Sequence, residues 1–325
     1  MYRLGVDLGG TNIVAGLVDE SMKIIDKVSC KTNLPRSAES IIEDIAMLCK
    51  KVVNQNHLEE AEVASVGVGV PGTANRKTGF VEYANNLGFD DVPFVKLLEN
   101  QVSWPVYMDN DANAAAWGEY KAGGYKDDSF VMITLGTGIG GGVIIDGKLL
   151  RGVNYAGAEL GHTTINFQGK PCNCGRVGCF EVYGSATALI EQTRYALEYE
   201  AAGENKKKKS LLWKLCGNNL NKVEAKNVFD AVAGGDYFAK KLLDDYTTYL
   251  AEGLANVINI FQPSVLCIGG GVSKAGDVLL NPVKEKTNRL IYSKNSAVNT
   301  NITIAKHDND AGIIGAALLG LEGES

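Results

Sequence analysis

Two stretches of this chain can be laid one on the other: DLGGTNIVAGLVDE, from Asp7, and TLGTGIGGGVIIDG, from Thr134. Each reads as a strand, a turn of glycine and threonine, a second strand and a short polar turn, because apolar runs of strand length flank residues that tolerate tight backbone turns. The repeat constrains the fold more than any other feature. Each copy is followed by alternating helical and strand patterns, so the sequence predicts two related α/β domains that face a cleft. At 325 residues the chain has the length for two cores of ordinary size.

The rest of the chain extends this pattern. After the first hairpin, KIIDKVSCKT reads as a third strand, and Ile41, Ile42, Ile45, Leu48 and Val52 fall on one face of a helix over 38–54. ASVGVGV is a buried strand that ends at Pro71-Gly72, and PVYMDNDANAAAWGEYKAG passes from strand to helix near Asp111. Residues 121–128, rich in glycine and charge, mark the passage into the second domain. The expected division is an N-terminal α/β domain over 1–120, completed by a closing helix over 308–325, and a larger domain over 121–307. The larger domain is mostly helical from Thr187 to Phe261 and carries an insertion over 202–224. It then gives a buried strand, SVLCI, before a triple glycine, and NITI before the closing helix.

Composition excludes several function classes. With 45% hydrophobic and 22% charged residues and a net charge of −6, the chain has no broad basic surface for nucleic acid or an anionic membrane. Lys206–Lys209 is the one basic run and reads as a solvated loop. No segment reads as membrane-spanning, and the start, MYRLGVDLGG, lacks the pattern of a secretory signal, so a cytoplasmic protein is expected. Seven cysteines, an odd number, argue against a disulfide framework. Cys30, Cys49, Cys216 and Cys267 read as core fillers.

Three glycine turns carry the first chemical signal: DLGGTN (7–12), LGTGIGGG (135–142) and IGGGVSKAG (268–276). Glycines after a strand let backbone N–H groups approach an anion, and threonine hydroxyls add donors. Gly136, Gly138 and Gly141 fit the spacing of a dinucleotide fingerprint, but that motif opens a helix and VIIDGKLL reads as a strand. A Walker P-loop is absent from the sequence. Asp7, at a strand end beside the first turn, suits a hydrated Mg²⁺, with turn capping as its alternative. Asp111 sits where a strand gives way to a helix and suits a general base in phosphoryl transfer from ATP, with a helix N-cap as its alternative. Asp109, Asn110 and Asn113 leave the choice of base open on spacing.

In AGAELGHTTI, Glu159 and His162 are three apart around a glycine, so a tight turn aims both at one place. His162 lies ten residues before the cluster CNCGRVGC. His162, Cys172, Cys174 and Cys179 make a four-ligand Cys₃His set of the kind that closes a structural Zn²⁺ site. The C-x-C spacing is tighter than usual, and a group of reduced thiols in a glycine loop is the alternative.

Together, DLGGTN, NDAN within DNDANAAAWGE, ELGH at 159–162 and CNCGRVGCFE at 172–181 resemble the ROK family of sugar kinases, its bacterial glucokinases most of all. The resemblance covers essentially the whole chain. It implies an actin-like, ribonuclease H-like ATPase fold of two α/β domains with ATP and sugar meeting in a central cleft. It implies Asp111 as the general base and Asn86, Asn110, Asp111, Glu159, His162 and Glu181 as sugar contacts, with Phe89 where relatives often carry Trp. It implies that Asp7, Gly9, Gly10, Thr11, Asn12, Thr137, Gly138, Gly270 and Gly271 serve ATP and Mg²⁺, and that zinc fixes the loop bearing Glu159 and Glu181. The expected reaction is phosphorylation of glucose at O6. Fructose, mannose, N-acetylglucosamine and N-acetylmannosamine are the alternative substrates within the family, and a homodimer is the usual assembly. Repressors in the family carry an N-terminal helix-turn-helix domain, for which a chain whose phosphate turn begins at Asp7 leaves no room.

Overall fold

The computed structural model describes residues 1–127, 129–202 and 209–321. The solvated-loop reading of Lys206–Lys209 lies outside the described residues except at Lys209, which is exposed. Parts of the expected insertion and the last residue of the expected linker also fall outside.

The chain runs β1 (Tyr2–Leu8), β2 (Asn12–Val18), β3 (Ile24–Lys31), α1 (Ala38–Gln55), β4 (Val63–Val70), β5 (Thr73–Asn75), β6 (Phe80–Ala84), β7 (Phe89–Val92), α2 (Phe94–Glu99), β8 (Val106–Asn110) and α3 (Asp111–Ala122). It continues through β9 (Phe130–Leu135), β10 (Ile139–Ile145), β11 (Lys148–Leu149), α4 (Glu181–Gly184), α5 (Ala186–Ala202), α6 (Leu211–Leu215), α7 (Ala225–Ala233) and α8 (Tyr237–Phe261). It closes with β12 (Val265–Gly269), α9 (Asp277–Leu290), β13 (Asn301–Ile304) and α10 (Asp310–Ala317).

The two five-stranded sheets have the orders β3-β2-β1-β4-β8 and β11-β10-β9-β12-β13. Counted within each sheet, both read third, second, first, fourth, fifth. The sequence repeat is thus a repeat of topology, the duplicated ribonuclease H-like order of the actin-like ATPases. In the first sheet β1, β2 and β3 form an antiparallel meander, while β4 and β8 run parallel to β1. That parallel set brings the C-terminal ends of β1, β4 and β8 to one edge, where open α/β sheets bind ligands. A small third sheet, β5-β6-β7, is inserted between β4 and α2. Its strands are only three to five residues long, too short for an alternating pattern to mark them in the sequence.

Two compact units divide the described chain: Met1–Met132 with Gly141–Ala158 and Ala305–Ser325, and Ile133–Gly140 with Glu159–Ile304. The first unit buries Leu4, Val6, Leu8 and Ile13 of its hairpin against Ile41, Ile42, Ile45, Leu48 and Val52 of α1, the face expected from spacing. Its other sheet face is covered by α10 at backbone contact. A Cβ on Gly5 or Gly67 would stand 1.9 or 1.8 Å from a carbonyl of α10, and one on Gly315 would stand 1.7 Å from the Ala114 carbonyl of α3. Glycine is required there by close approach. The second unit is built around α8, whose Tyr246 is fully buried and donates its hydroxyl to the Gly184 carbonyl at 2.7 Å. Among the described residues no helix is long and apolar enough to cross a membrane.

Candidate active site

Register sets the first cluster. Asp7 on β1 lies opposite Gly69 on β4, and Gly69 lies opposite Asp109 on β8. Because Gly69 has no side chain, the first turn of α3 sits close above it: a Cβ there would meet Ala114 at 3.3 Å and the Cα of Asp111 at 3.4 Å. Asp7 and Asp111 are both half-buried at this edge. Burial, with a smaller contribution from the charge of Asp111, raises the Asp7 carboxyl to about 6. Burial likewise lifts Asp111 above its ordinary value, against the hydrogen bond it accepts from the Ala112 N–H at 2.8 Å.

The choice left open within DNDAN is narrowed by partners. Asp109 is only 1% exposed. Its Oδ1 accepts from the Asn110 N–H at 2.8 Å and from Asn113 Nδ2 at 3.1 Å, and its Oδ2 accepts from Arg151 Nε and Nη2, both at 2.7 Å. Arg76 Nη1 stands 3.7 Å from the same oxygen. Asp109 is a committed structural carboxylate. The N-cap of α3 is Asn110, whose Oδ1 accepts from the N–H groups of Ala112 at 2.9 Å and Asn113 at 3.2 Å while its Nδ2 donates to the Gly72 carbonyl at 3.0 Å. The capping alternative for Asp111 is thereby set aside. Asp7 does not close its turn either, since Gly9 N–H donates to the Asn12 carbonyl at 2.9 Å. Asn86 is exposed in the turn between β6 and β7, and Phe89 is a core residue at 2% exposure.

The three glycine turns share one property that the chain itself does not explain. Gly10, Gly136 and Gly271 have no left-handed backbone, and an added Cβ meets nothing closer than 4.0 Å at Gly10 and nothing within 4 Å at the other two. Neither conformation nor packing requires glycine at these places. In contrast, Gly138 is glycine because Glu181 Oε2 would lie 2.2 Å from its Cβ, and Gly270 has φ +84 and packs on the backbone of Leu135. After the second turn comes the strand β10, not a helix, which disposes of the dinucleotide reading. Thr11, Asn12 and Thr137 are exposed on these turns.

The second unit supplies the remaining candidates. Glu159 precedes a single 3₁₀ turn, Leu160–His162, and the His162 N–H donates to the Glu159 carbonyl at 3.1 Å. Gly161 permits that turn to pack on β10, where a Cβ would stand 2.3 Å from the Ile139 carbonyl. His162, Cys172, Cys174 and Cys179 present donor atoms that all lie within 4.8 Å of one another. Cys172 Sγ is 3.7 Å from His162 Nδ1, and Cys174 Sγ is 3.6 Å from Cys179 Sγ. A zinc–sulfur bond of about 2.3 Å gives a tetrahedral edge of about 3.8 Å, so the four donors fit Zn²⁺. The loop is preformed around them: Cys172 N–H donates to the Arg176 carbonyl at 2.8 Å, and Gly175 and Gly178 take φ of +86 and +76. Two residues beyond Cys179, Glu181 opens α4 and accepts from the Ile139 N–H at 2.8 Å.

The ROK family pattern matches residues 3–322. The chain is 41% identical over 317 residues to a glucokinase of Thermotoga maritima, covering 97% of this chain and 95% of that one. It is 38% identical to a glucokinase of Halalkalibacterium halodurans, with 98% and 94% covered. Among solved structures, a ROK family glucokinase from Streptomyces griseus in complex with glucose and AMPPNP aligns with a TM-score of 0.85 at 34% identity, over 99% of this chain and 100% of that one. Matched along nearly its whole length, and with the site residues set out above in place, this chain belongs to the ROK family.

Proposed function

We propose that the protein is a glucokinase, which transfers the γ-phosphoryl group of ATP to O6 of glucose. The observation that carries this reading is Asp111: a carboxyl raised by burial at a helix start, beside a second raised carboxyl and next to a neighbour, Asp109, whose oxygens are already spent. Asp111 accepts the O6 proton as that oxygen attacks the γ-phosphorus in line. Its raised affinity for a proton suits a base that must take one up near neutral pH. Asp7 is placed to hold water-coordinated Mg²⁺, which supplies charge neutralisation to the phosphates when bound.

The sugar is oriented by Asn86, Asn110, Glu159, His162 and Glu181. Asn110 spends its carbonyl oxygen on the cap and one amide hydrogen on Gly72, which leaves its second amide hydrogen for a hydroxyl. His162 turns Nδ1 toward Cys172 and the metal-binding cluster, so Nε2 is the nitrogen that serves the sugar. Glu181 holds the Ile139 N–H with one oxygen and offers the other. Zinc, bound by His162 and the three cysteines, holds both ends of the loop between Glu159 and Glu181. The family resemblance further supports a homodimer acting in glycolysis.

The turns built on Asp7–Asn12, Leu135–Gly138 and Gly270–Gly271 hold the phosphates and the nucleoside, which accounts for glycine at the three places where the chain does not need it. Gly10→Ala, Gly136→Ala and Gly271→Ala should each leave the melting temperature within a few degrees, because the added methyl meets open space. Each should raise the KM for ATP about tenfold or more, the consequence of one lost close backbone contact with an anion, while the KM for glucose stays near that of the parent. Steady-state kinetics with each substrate varied in turn checks this. An unchanged KM for ATP in all three variants would detach the turns from nucleotide binding.

A further inference from the structure

We propose that Arg151 is a positioning residue for the sugar: its buried pairing with Asp109 fixes the start of the loop that runs into Glu159 to the end of β8, which leads directly into Asp111. The inference rests on the glucokinase reading for the roles of Glu159 and Asp111. Arg151 grips a single oxygen of Asp109 with Nε and Nη2, both at 2.7 Å, and Asp109 is 1% exposed. Asp109 stands two residues before Asp111 on β8. Arg151 stands eight before Glu159.

The segment between them needs such an anchor. The Gly157 N–H donates to the Arg151 carbonyl at 2.8 Å, so the loop is pinched shut at Arg151, and a Cβ on Gly157 would stand 2.7 Å from the Arg151 carbonyl carbon. Beyond the pinch the loop is outward-facing: Gly152, Val153 and Asn154 are exposed, Val153 fully. Tyr155 and Ala158 hold φ of +59 and +65, a conformation that residues with a side chain adopt only when their surroundings impose it. A buried ion pair is weak as a source of stability, since apolar residues of similar volume often do as well, and its well-attested use is to select one arrangement among several. Here the arrangement selected is the backbone that delivers Glu159.

Four variants test this, with the KM for glucose, the KM for ATP, kcat and the melting temperature measured on each and on the parent. Arg151→Lys keeps the charge and loses the two-pronged grip. Its KM for glucose should rise about tenfold or more, as a shift near 1 Å in a positioning group can cost up to about a hundredfold, with the KM for ATP within about twofold and the melting temperature nearly unchanged. Arg151→Met and Asp109→Asn each remove one half of this pair and should lose stability as well. The double variant Asp109→Asn/Arg151→Met removes both charges of the pair and leaves Arg76 as the one cation placed above against Asp109, so it should melt above Asp109→Asn without regaining the KM for glucose. Recovery of both together, or a parent-like KM for glucose in Arg151→Lys, would make the pair structural only and overturn the inference. A parent protein with no glucose-dependent turnover would overturn the glucokinase reading and this inference with it, whereas an active parent beside an unaffected Arg151→Lys overturns this inference alone.

Discussion

Asp111→Asn should lower kcat by a factor of about 10² to 10⁴, the usual contribution of a positioned general base, while glucose still binds. Asn keeps the size and the acceptor that meets the Ala112 N–H, so the start of α3, which Asn110 caps, should survive. Equilibrium binding of glucose and single-turnover kinetics separate the two effects. A kcat within a few-fold of the parent would place the base elsewhere. Asp109→Asn is not an equivalent experiment, because Asp109 ties Arg151, Asn110 and Asn113 together and its loss costs structure.

The same carboxyls set a pH dependence whose sign is fixed by their environment. In the proposed mechanism Asp7 and Asp111 act when ionised, and burial raises both. Activity should therefore rise with pH through a limb lying above the ordinary carboxylate range, near about 6 for Asp7. Stability moves the other way for these groups. A carboxyl whose folded pKa is raised binds its proton more tightly when folded, so the stabilisation is complete below its unfolded value of 3.8 and is lost as the pH climbs through about 6. Mild acid should thus switch the enzyme off reversibly, without these two groups contributing to unfolding. A pH–rate profile run beside a pH–melting series reads both signs.

Cys174→Ala should abolish stoichiometric zinc and act on stability and sugar affinity together. Three of the four donors would remain, and loss of one thiolate from a closed tetrahedral site removes most of the affinity for the metal. The loop from His162 to Cys179 would lose the link between its ends, and Glu159 and Glu181 lie just outside those ends. The KM for glucose should rise about 10- to 100-fold, the cost typical of disturbing the groups that orient a site, with a melting temperature several degrees lower. Metal analysis, calorimetry and kinetics on one preparation decide it. A zinc-free variant with a parent-like KM for glucose would separate the cluster from the sugar.

Several of these features were legible in the residues. The duplicated hairpin announced itself because glycine and threonine punctuate two strands at the same interval, and both sheets carry the strand order that such a repeat implies. The Cys₃His set was legible because soft donors in a glycine loop have few other uses, and the four donors do converge. DNDAN was legible only as a place. Asp and Asn both cap helices and both line polar sites, so only the partners distinguish Asn110 as the cap and Asp109 as the committed anchor. Arg151 gave no signal: its partner lies 42 residues away and it belongs to no motif. The small sheet was hidden for a different reason, since strands of three to five residues are too short for alternation to stand out from the turns around them.

The most direct test is ADP release by the purified protein with MgATP and one sugar at a time: glucose, mannose, fructose, N-acetylglucosamine and N-acetylmannosamine. Glucose should give the highest kcat/KM, with the product phosphorylated at O6. A pocket separates such sugars by a few hydroxyl contacts, and an unmatched buried polar group can cost a rejected sugar several orders of magnitude. A higher kcat/KM for another of these sugars, or no sugar-dependent ADP release from folded, zinc-loaded protein, would contradict the assignment.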